Sequence, residues 1–159
     1  MKKIVITGGL GYIGTELCKI YSGHSWNDKI TVIDNRFISE RVNQIRNWNM
    51  DFVQGDILDK ELIKKHCSDA DIIHHLAGIT DVPRVKSQSN ADNDKKIIEV
   101  AQEGTQNILD VMKDDCKIVM PSTHVVYEGL ETVKNDILEN EETAPILSYG
   151  KSKDYNEKQ

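Results

Sequence analysis

Tyr149 and Lys153 are the pair in this 159-residue chain best suited to moving a proton. They stand four apart in Tyr149-Gly150-Lys151-Ser152-Lys153. Residues at that spacing share one face of a helix, so a helix here sets the lysine ammonium beside the phenol ring. A phenol ordinarily titrates at a pH of about 10, and a neighbouring cation favours the phenolate. Tyr149 is then a candidate to accept or donate a proton near neutral pH. The same five residues also suit an amphipathic helix start with a solvated lysine, and taken alone they do not separate the two readings.

A second cluster could hold phosphates. Gly8-Gly9-Leu10-Gly11-Tyr12-Ile13-Gly14 directly follows an apolar run and leads into an amphipathic one. In a strand, turn and helix, Gly8 permits the tight turn, Gly11 lets backbone approach a pyrophosphate, and Gly14 lets the helix pack on the strand. The pyrophosphate then meets free N–H groups, those of Tyr12 and Ile13 among them, and the positive end of the helix dipole. Asp34 lies twenty residues beyond Gly14, where a carboxylate can accept from the adenosine ribose hydroxyls and repel a 2′-phosphate. This favours NAD over NADP, with Arg36 two residues on as a group that could soften the preference. The plainer alternatives are a structural turn for the glycines and a surface turn for Asp34.

These groups need a scaffold, and the pattern of apolar runs supplies one. Short β-branched runs alternate with longer amphipathic ones, as in repeated βα units around a parallel sheet. Strands are expected over residues 3–7, 29–33, 51–54, 71–75 and 117–121. Helices are expected over 12–21, 59–65 and 92–112, with one more beginning near Tyr149 and running toward the terminus. Right-handed crossovers make this an open, doubly wound parallel sheet, a Rossmann fold with helices on both faces. Residues 79–93 and 128–147 fit no element cleanly. Each follows a strand at the carboxyl edge, where ligands of such sheets bind, so they are either ligand-covering segments or solvated loops.

The length suits one domain, residues 1–159. A hydrophobic share of 38%, a charged share of 29% and a net charge of -6 fit a soluble protein and argue against a general nucleic-acid or anionic-membrane surface. Cys18, Cys67 and Cys116 lack Cys-x-x-Cys spacing and read as reduced, buried thiols of a cytoplasmic protein. The apolar run after Lys2-Lys3 stops at Thr7-Gly8-Gly9, too short for a signal peptide or a membrane span. His74, His75 and His124 have no recognisable third metal ligand, and neighbours on a strand point to opposite faces, so no metal site is expected. The carboxylates of 139–142 read as a solvated loop, and Trp26 and Trp48 as partial core or a partner surface.

Taken together, these residues resemble the extended short-chain dehydrogenase/reductase family, the NAD-dependent sugar-nucleotide epimerases and dehydratases, along essentially the whole chain. The 8, 11, 14 glycine spacing is that family's, and Asp34-Asn35 is similar to its ribose-binding pair. Asp56-Ile57 resembles the residues that hold the adenine, and Leu76-Ala77-Gly78 the stretch along the cofactor. Ser122-Thr123 with Val126-Tyr127 resembles the active-site strand end, which implies Thr123 as the catalytic hydroxyl beside Tyr149 and Lys153. The resemblance implies that Lys153 lowers the Tyr149 pKa and binds the nicotinamide ribose, that Thr123 donates to the reacting oxygen, and that NAD carries the hydride. The implied substrate is a nucleotide sugar. A homodimer through the long helix and the Tyr-x-x-x-Lys helix is also implied.

Three departures stand out. Ala101-Gln102-Glu103-Gly104-Thr105 lacks the asparagine that the family places before its Gly-Thr. Glu128 separates Tyr127 from Gly129, which puts the adjacent loop in question. Family members continue past the Tyr-x-x-x-Lys helix into another strand and a sugar-nucleotide lobe, whereas this sequence stops at Gln159, so it is expected to be the truncated cofactor portion of a larger enzyme. A dinucleotide-binding or cofactor-sensing module without turnover is the alternative.

Overall fold

The computed structural model describes residues 1–24, 27–80, 90–131 and 136–159. Five strands, β1 (Lys3–Thr7), β2 (Lys29–Asp34), β3 (Asp51–Gln54), β4 (Ile72–His75) and β5 (Lys117–Val119), form one parallel sheet in the order β3-β2-β1-β4-β5. The order reverses direction at β1, between the β1–β2 and β1–β4 pairings. Parallel strands in this order, joined through helices, make the doubly wound α/β arrangement. Among the described residues the helices are α1 (Tyr12–Ser22), α2 (Ser39–Asn47), α3 (Lys60–Cys67), α4 (Ala91–Leu109) and α5 (Ser148–Lys158), with a 3-10 helix at His124–Tyr127.

The central strands are apolar on both sides because both sides are covered. Ile4, Val5, Ile6 and Thr7 of β1 and residues 30–34 of β2 are all buried. Leu10, Cys18, Val42, Ile45 and Met50 close over them, joined at the edge by Leu17, Trp48 and Phe52. Cys18, Cys67 and Cys116 are buried free thiols, and burial pushes the first two up to about 12.

Several boundaries differ from the sequence expectation. β2 runs on to Asp34, so that residue sits at the strand's buried end. α4 ends at Leu109 because the chain tightens there, with the Val111 N–H bonding the Ile108 carbonyl at 3.2 Å. β5 stops at Val119, short of Pro121, which has no N–H to donate to a ladder. Helix α2 had no counterpart in the sequence reading. Its two apolar residues, Val42 and Ile45, are both buried, and seven polar neighbours mask their period. Trp26, and parts of the two unassigned segments (81–89 and 132–135), lie outside the described residues.

The chain divides into two compact units. The first comprises Met1–Gly78 and Gly104–Pro121, with all five strands; the second comprises Ile79–Glu103 and Ser122–Gln159. No helix among the described residues is long and apolar enough to cross a membrane.

Candidate functional site

In the first unit, the turn between β1 and α1 is built around Gly8. Its φ of +68° lies where a side chain is strained, and a β-carbon there would stand 2.6 Å from the Ala77 nitrogen and 2.8 Å from the Leu76 carbonyl carbon. The turn is therefore pressed onto the stretch that follows β4. Ala77 N–H donates to the Thr7 hydroxyl at 3.3 Å, and Leu76 N–H to the Thr7 carbonyl at 3.1 Å. Gly14 meets the same turn, since a β-carbon there would lie 2.6 Å from the Gly8 carbonyl oxygen. Gly78 is exposed with open space around it.

Helix α1 begins without a side-chain cap at Gly11. Its first internal bond runs from Thr15 N–H to the Gly11 carbonyl at 3.0 Å, and among the described residues nothing accepts from the N–H groups of Tyr12, Ile13 or Gly14. Tyr12 and Ile13 are 83% and 61% exposed, unusual for large apolar side chains at a helix start. Unclaimed N–H groups at the positive end of a helix, beside backbone that tolerates no side chain, fit a dinucleotide pyrophosphate.

Asp34 is buried at the end of β2, and its carboxylate accepts from Leu10 N–H at 3.0 Å. Arg36 holds it too, from its own N–H at 3.0 Å and from Nε at 3.2 Å. Asn35 Nδ2 donates to Asp56 Oδ2 at 3.2 Å, while Asp56 Oδ1 accepts from Leu58 N–H at 3.0 Å. These two expected cofactor residues meet at the carboxyl edge. Ile57 is buried against Gly104 of α4, and its carbonyl accepts from Asn107 Nδ2 at 3.0 Å. The first unit thus gathers Gly8, Gly11, Tyr12, Ile13, Gly14, Asp34, Asn35, Asp56, Ile57, Leu76, Ala77 and Gly78 around the β1, β2, β3 and β4 ends.

The strand histidines diverge as the pleat requires. His75 is buried between Thr7 Oγ1 at 2.8 Å and Thr105 Oγ1 at 3.0 Å, while His74 Nε2 lies 2.7 Å from the Tyr21 hydroxyl. Burial, with Lys117 adding to it, holds the His74 imidazole below its ordinary pKa.

In the second unit, Thr123 precedes the 3-10 helix and accepts from Val125 N–H at 3.4 Å, which leaves its own O–H able to donate. Helix α5 packs on that turn through Gly150. A β-carbon there would stand 3.0 Å from the Val125 carbonyl oxygen and 3.2 Å from the Pro145 side chain. Glu128 then secures the helix start: its Oε1 accepts from Ile146 N–H at 2.8 Å and Leu147 N–H at 2.6 Å. The residue that departs from the family pattern orders the loop it was expected to disturb. A carboxylate at a helix N-terminus also complements the dipole.

Tyr149 and Lys153 share a face of α5, with the ammonium over the ring at 5.9 Å from its centroid. The expected lowering of the Tyr149 pKa is not what the geometry produces. Burial raises the phenol above its ordinary value, and the same burial pushes the Lys153 ammonium below its own. A cation over the face of the ring interacts with its quadrupole, and each group is driven toward its neutral form by lost hydration. Burial thus favours the protonated form of Tyr149.

Glu128 and Arg41, which donates to the Leu10 carbonyl, are functional candidates that sequence spacing did not reveal. No short-range motif marks either, because both act across long stretches of chain.

A parallel five-stranded sheet in this order, with a glycine turn at its switch point, defines a Rossmann-like α/β protein. Residues 5–159 match the model of the 3-beta hydroxysteroid dehydrogenase/isomerase family, and the chain belongs to that family, among the NAD-dependent epimerases and dehydratases of the extended short-chain dehydrogenase/reductases. A dTDP-D-glucose 4,6-dehydratase of Dictyostelium discoideum is 32% identical over 135 residues, covering 80% of this chain and 30% of the relative. A bifunctional UDP-glucose 4-epimerase and UDP-xylose 4-epimerase of Pisum sativum is 28% identical over 165 residues, covering 96% of this chain and 45% of its own. Among solved structures, a UDP-glucose 4-epimerase from Brucella ovis in complex with NAD matches with a TM-score of 0.77 at 26% identity, over 99% of this chain and 46% of that one. The chain thus spans about a third to a half of the length of the relatives it matches.

Proposed function

We propose that the chain is the dinucleotide-binding and proton-transfer portion of an NAD-dependent epimerase or dehydratase acting on a nucleotide sugar. The observation that carries this reading is the uncapped start of α1, with three N–H groups beside Gly8 that no group among the described residues accepts from. The names of the relatives support the substrate class, and the Brucella ovis structure supports NAD. Residues 1–159 are read as one functional NAD-binding domain.

Gly8, Gly11 and Gly14 keep the turn narrow, Tyr12 and Ile13 present N–H groups to the pyrophosphate, and Asp34 with Asn35 and Asp56-Ile57 addresses the adenosine. Leu76, Ala77 and Gly78 border the same turn. The bound nicotinamide supplies the hydride acceptor and donor. Tyr149 would take the proton of a reacting hydroxyl as the phenolate while hydride leaves the same carbon, and as the phenol would return it to the carbonyl oxygen when hydride comes back, with Thr123 donating a hydrogen bond to that oxygen. Lys153, over the Tyr149 ring on the same face of α5, would bind the nicotinamide ribose.

Two measurements test this. NAD or NADH at millimolar concentration should raise the melting temperature, because a ligand of the native state stabilises it; no shift sinks the nucleotide site. UDP- or dTDP-sugar turnover, if present, should vanish in Tyr149→Phe. Equal inertness of wild type and variant, with dinucleotide bound, would instead make the chain a binding module. A homodimer through α4 and α5 is proposed from the family resemblance alone; the two helices border an open groove of about 840 Å³ in the second unit, lined by Asp94, Ile98, Gln102, Ile146, Leu147 and Lys151. Sedimentation equilibrium tests it.

A further inference from the structure

Asp34 is the residue expected to turn away a 2′-phosphate, yet its carboxylate is already engaged on every side. Oδ1 accepts from the backbone N–H of Arg36 at 3.0 Å and from Arg36 Nε at 3.2 Å. Oδ2 accepts from Leu10 N–H at 3.0 Å and from Arg36 Nη2 at 3.4 Å. An ionised carboxylate offers about four acceptor positions, so those of Asp34 are filled by the protein itself. The Asp34 side chain is 3% exposed, whereas that of Arg36 is 56% exposed.

A second guanidinium borders the same turn. Arg41, in α2, donates from Nη1 to the Leu10 carbonyl, and Arg36 Nη2 lies 3.9 Å from where a β-carbon on Gly11 would stand. Two fixed positive charges therefore face one negative charge around Leu10-Gly11. A ribose 2′-hydroxyl can reach the Asp34 acceptors only after displacing Arg36. A 2′-phosphate needs no such displacement, because it accepts from guanidinium forks, for which it is the better partner.

Resting on the reading that this turn binds a dinucleotide, the geometry points to a site that takes the 2′-phosphorylated dinucleotide NADP(H) no less readily than NAD(H), with Arg36 and Arg41 receiving the 2′-phosphate. Asp34 then acts as the holder of Arg36 rather than as a barrier to phosphate. The structural requirement for the fold is separate: Leu10 N–H still needs Asp34 as its acceptor in either case.

Titration calorimetry of the 159-residue chain with NAD+ and with NADP+ at low salt tests the inference. NADP+ should bind within about tenfold of NAD+ or more tightly, and Arg36→Ala should weaken NADP+ by about tenfold or more while leaving NAD+ unchanged or tighter. Arg41→Ala should act in the same direction, and Arg36→Lys, which keeps the charge and loses the fork, should fall between wild type and Arg36→Ala. Circular dichroism melts confirm that each variant is folded, and Arg41→Ala serves if Arg36→Ala is not. NAD+ binding with NADP+ weaker by more than about tenfold overturns the inference, as does an equal loss of both dinucleotides in the arginine variants. Binding of neither dinucleotide to wild type overturns the nucleotide-site reading and this inference with it, so the two failures are told apart.

Discussion

In the first unit, β1 and β2 bury isoleucine and valine on both faces; in the second, α5 buries Ser148, Gly150, Ser152 and Asn156. Of the twenty buried apolar side chains among the described residues, only Ile97 and Val126 belong to the second unit. That unit relies on hydrogen bonds instead: Ser148 to Asp94 at 2.6 Å, Thr143 to Asp154 at 2.5 Å, Ser122 to Glu157, and the Glu128 pair. Apolar burial is strong and non-directional, whereas hydrogen bonds add modest net stability but specify geometry. The groups proposed to hold the dinucleotide stand on the apolar scaffold. Thr123, Tyr149 and Lys153 stand on the part where single polar residues set positions.

The contrast can be broken most forcefully at Gly8. Gly8→Val combines a strained φ with overlap on Leu76-Ala77, and it should remove more than about 3 kcal/mol by urea unfolding, along with dinucleotide binding. A loss under about 1 kcal/mol would show that the turn is loose and the comparison mistaken.

Gly150 should be less costly, and only for a large side chain. Gly150→Val must push α5 off the Val125 carbonyl and should cost about 1–3 kcal/mol, whereas Gly150→Ala gains about 1 kcal/mol of helix propensity that offsets a milder contact. Hydrogen exchange of α5 amides should rise in the first variant while β1 amides keep their protection. Equal losses in both units would remove the distinction between them.

Glu128→Ala leaves the N–H groups of Ile146 and Leu147 to solvent and should cost about 1–2 kcal/mol, again read in α5. Glu128→Gln, which keeps an acceptor oxygen, should recover part of it. No difference between the alanine and glutamine variants would mean that the carboxylate does not set the helix start.

The smallest effect concerns Lys153. Its folded-state pKa lies below the 10.5 of an exposed lysine, so between those two values the unfolded chain binds more protons and stability rises with pH. Lys153→Met removes the half-buried cation. It should raise the melting temperature at pH 7 and lose that advantage as pH approaches 10.5, where wild-type lysine sheds its proton in both states. A lower melting temperature at pH 7 would show that Lys153 gains more from its surroundings than burial takes away.

Much of the first unit was legible because a doubly covered parallel strand writes its burial as an unbroken apolar run, as Ile4-Val5-Ile6 does. The glycine spacing and Asp34 were legible for a similar reason, since a strand, turn and helix fix them locally. Helix α2 was not, because Val42 and Ile45 are too few to show a period among polar neighbours. Arg41 at Leu10 and Glu128 at Ile146-Leu147 depend on contacts across 31 and 18 positions, which spacing cannot register. The Tyr149 pKa was read from the proximity of a charge, while in the folded chain burial raises it.

The bonds around Glu128 have a further consequence. Gly129 N–H meets the Ala144 carbonyl at 2.8 Å, Ala144 N–H meets the Val126 carbonyl at 2.8 Å, and Glu128 takes the next two N–H groups, so the chain is buckled shut between 126 and 147. Closing a loop grows harder only slowly with its length, about 0.6 kcal/mol per doubling. Residues 136–142 can therefore be shortened or rewritten while Tyr149 keeps its place, provided Thr143 stays to meet Asp154, which gives evolution a free hand with that stretch and a fixed one with the tyrosine.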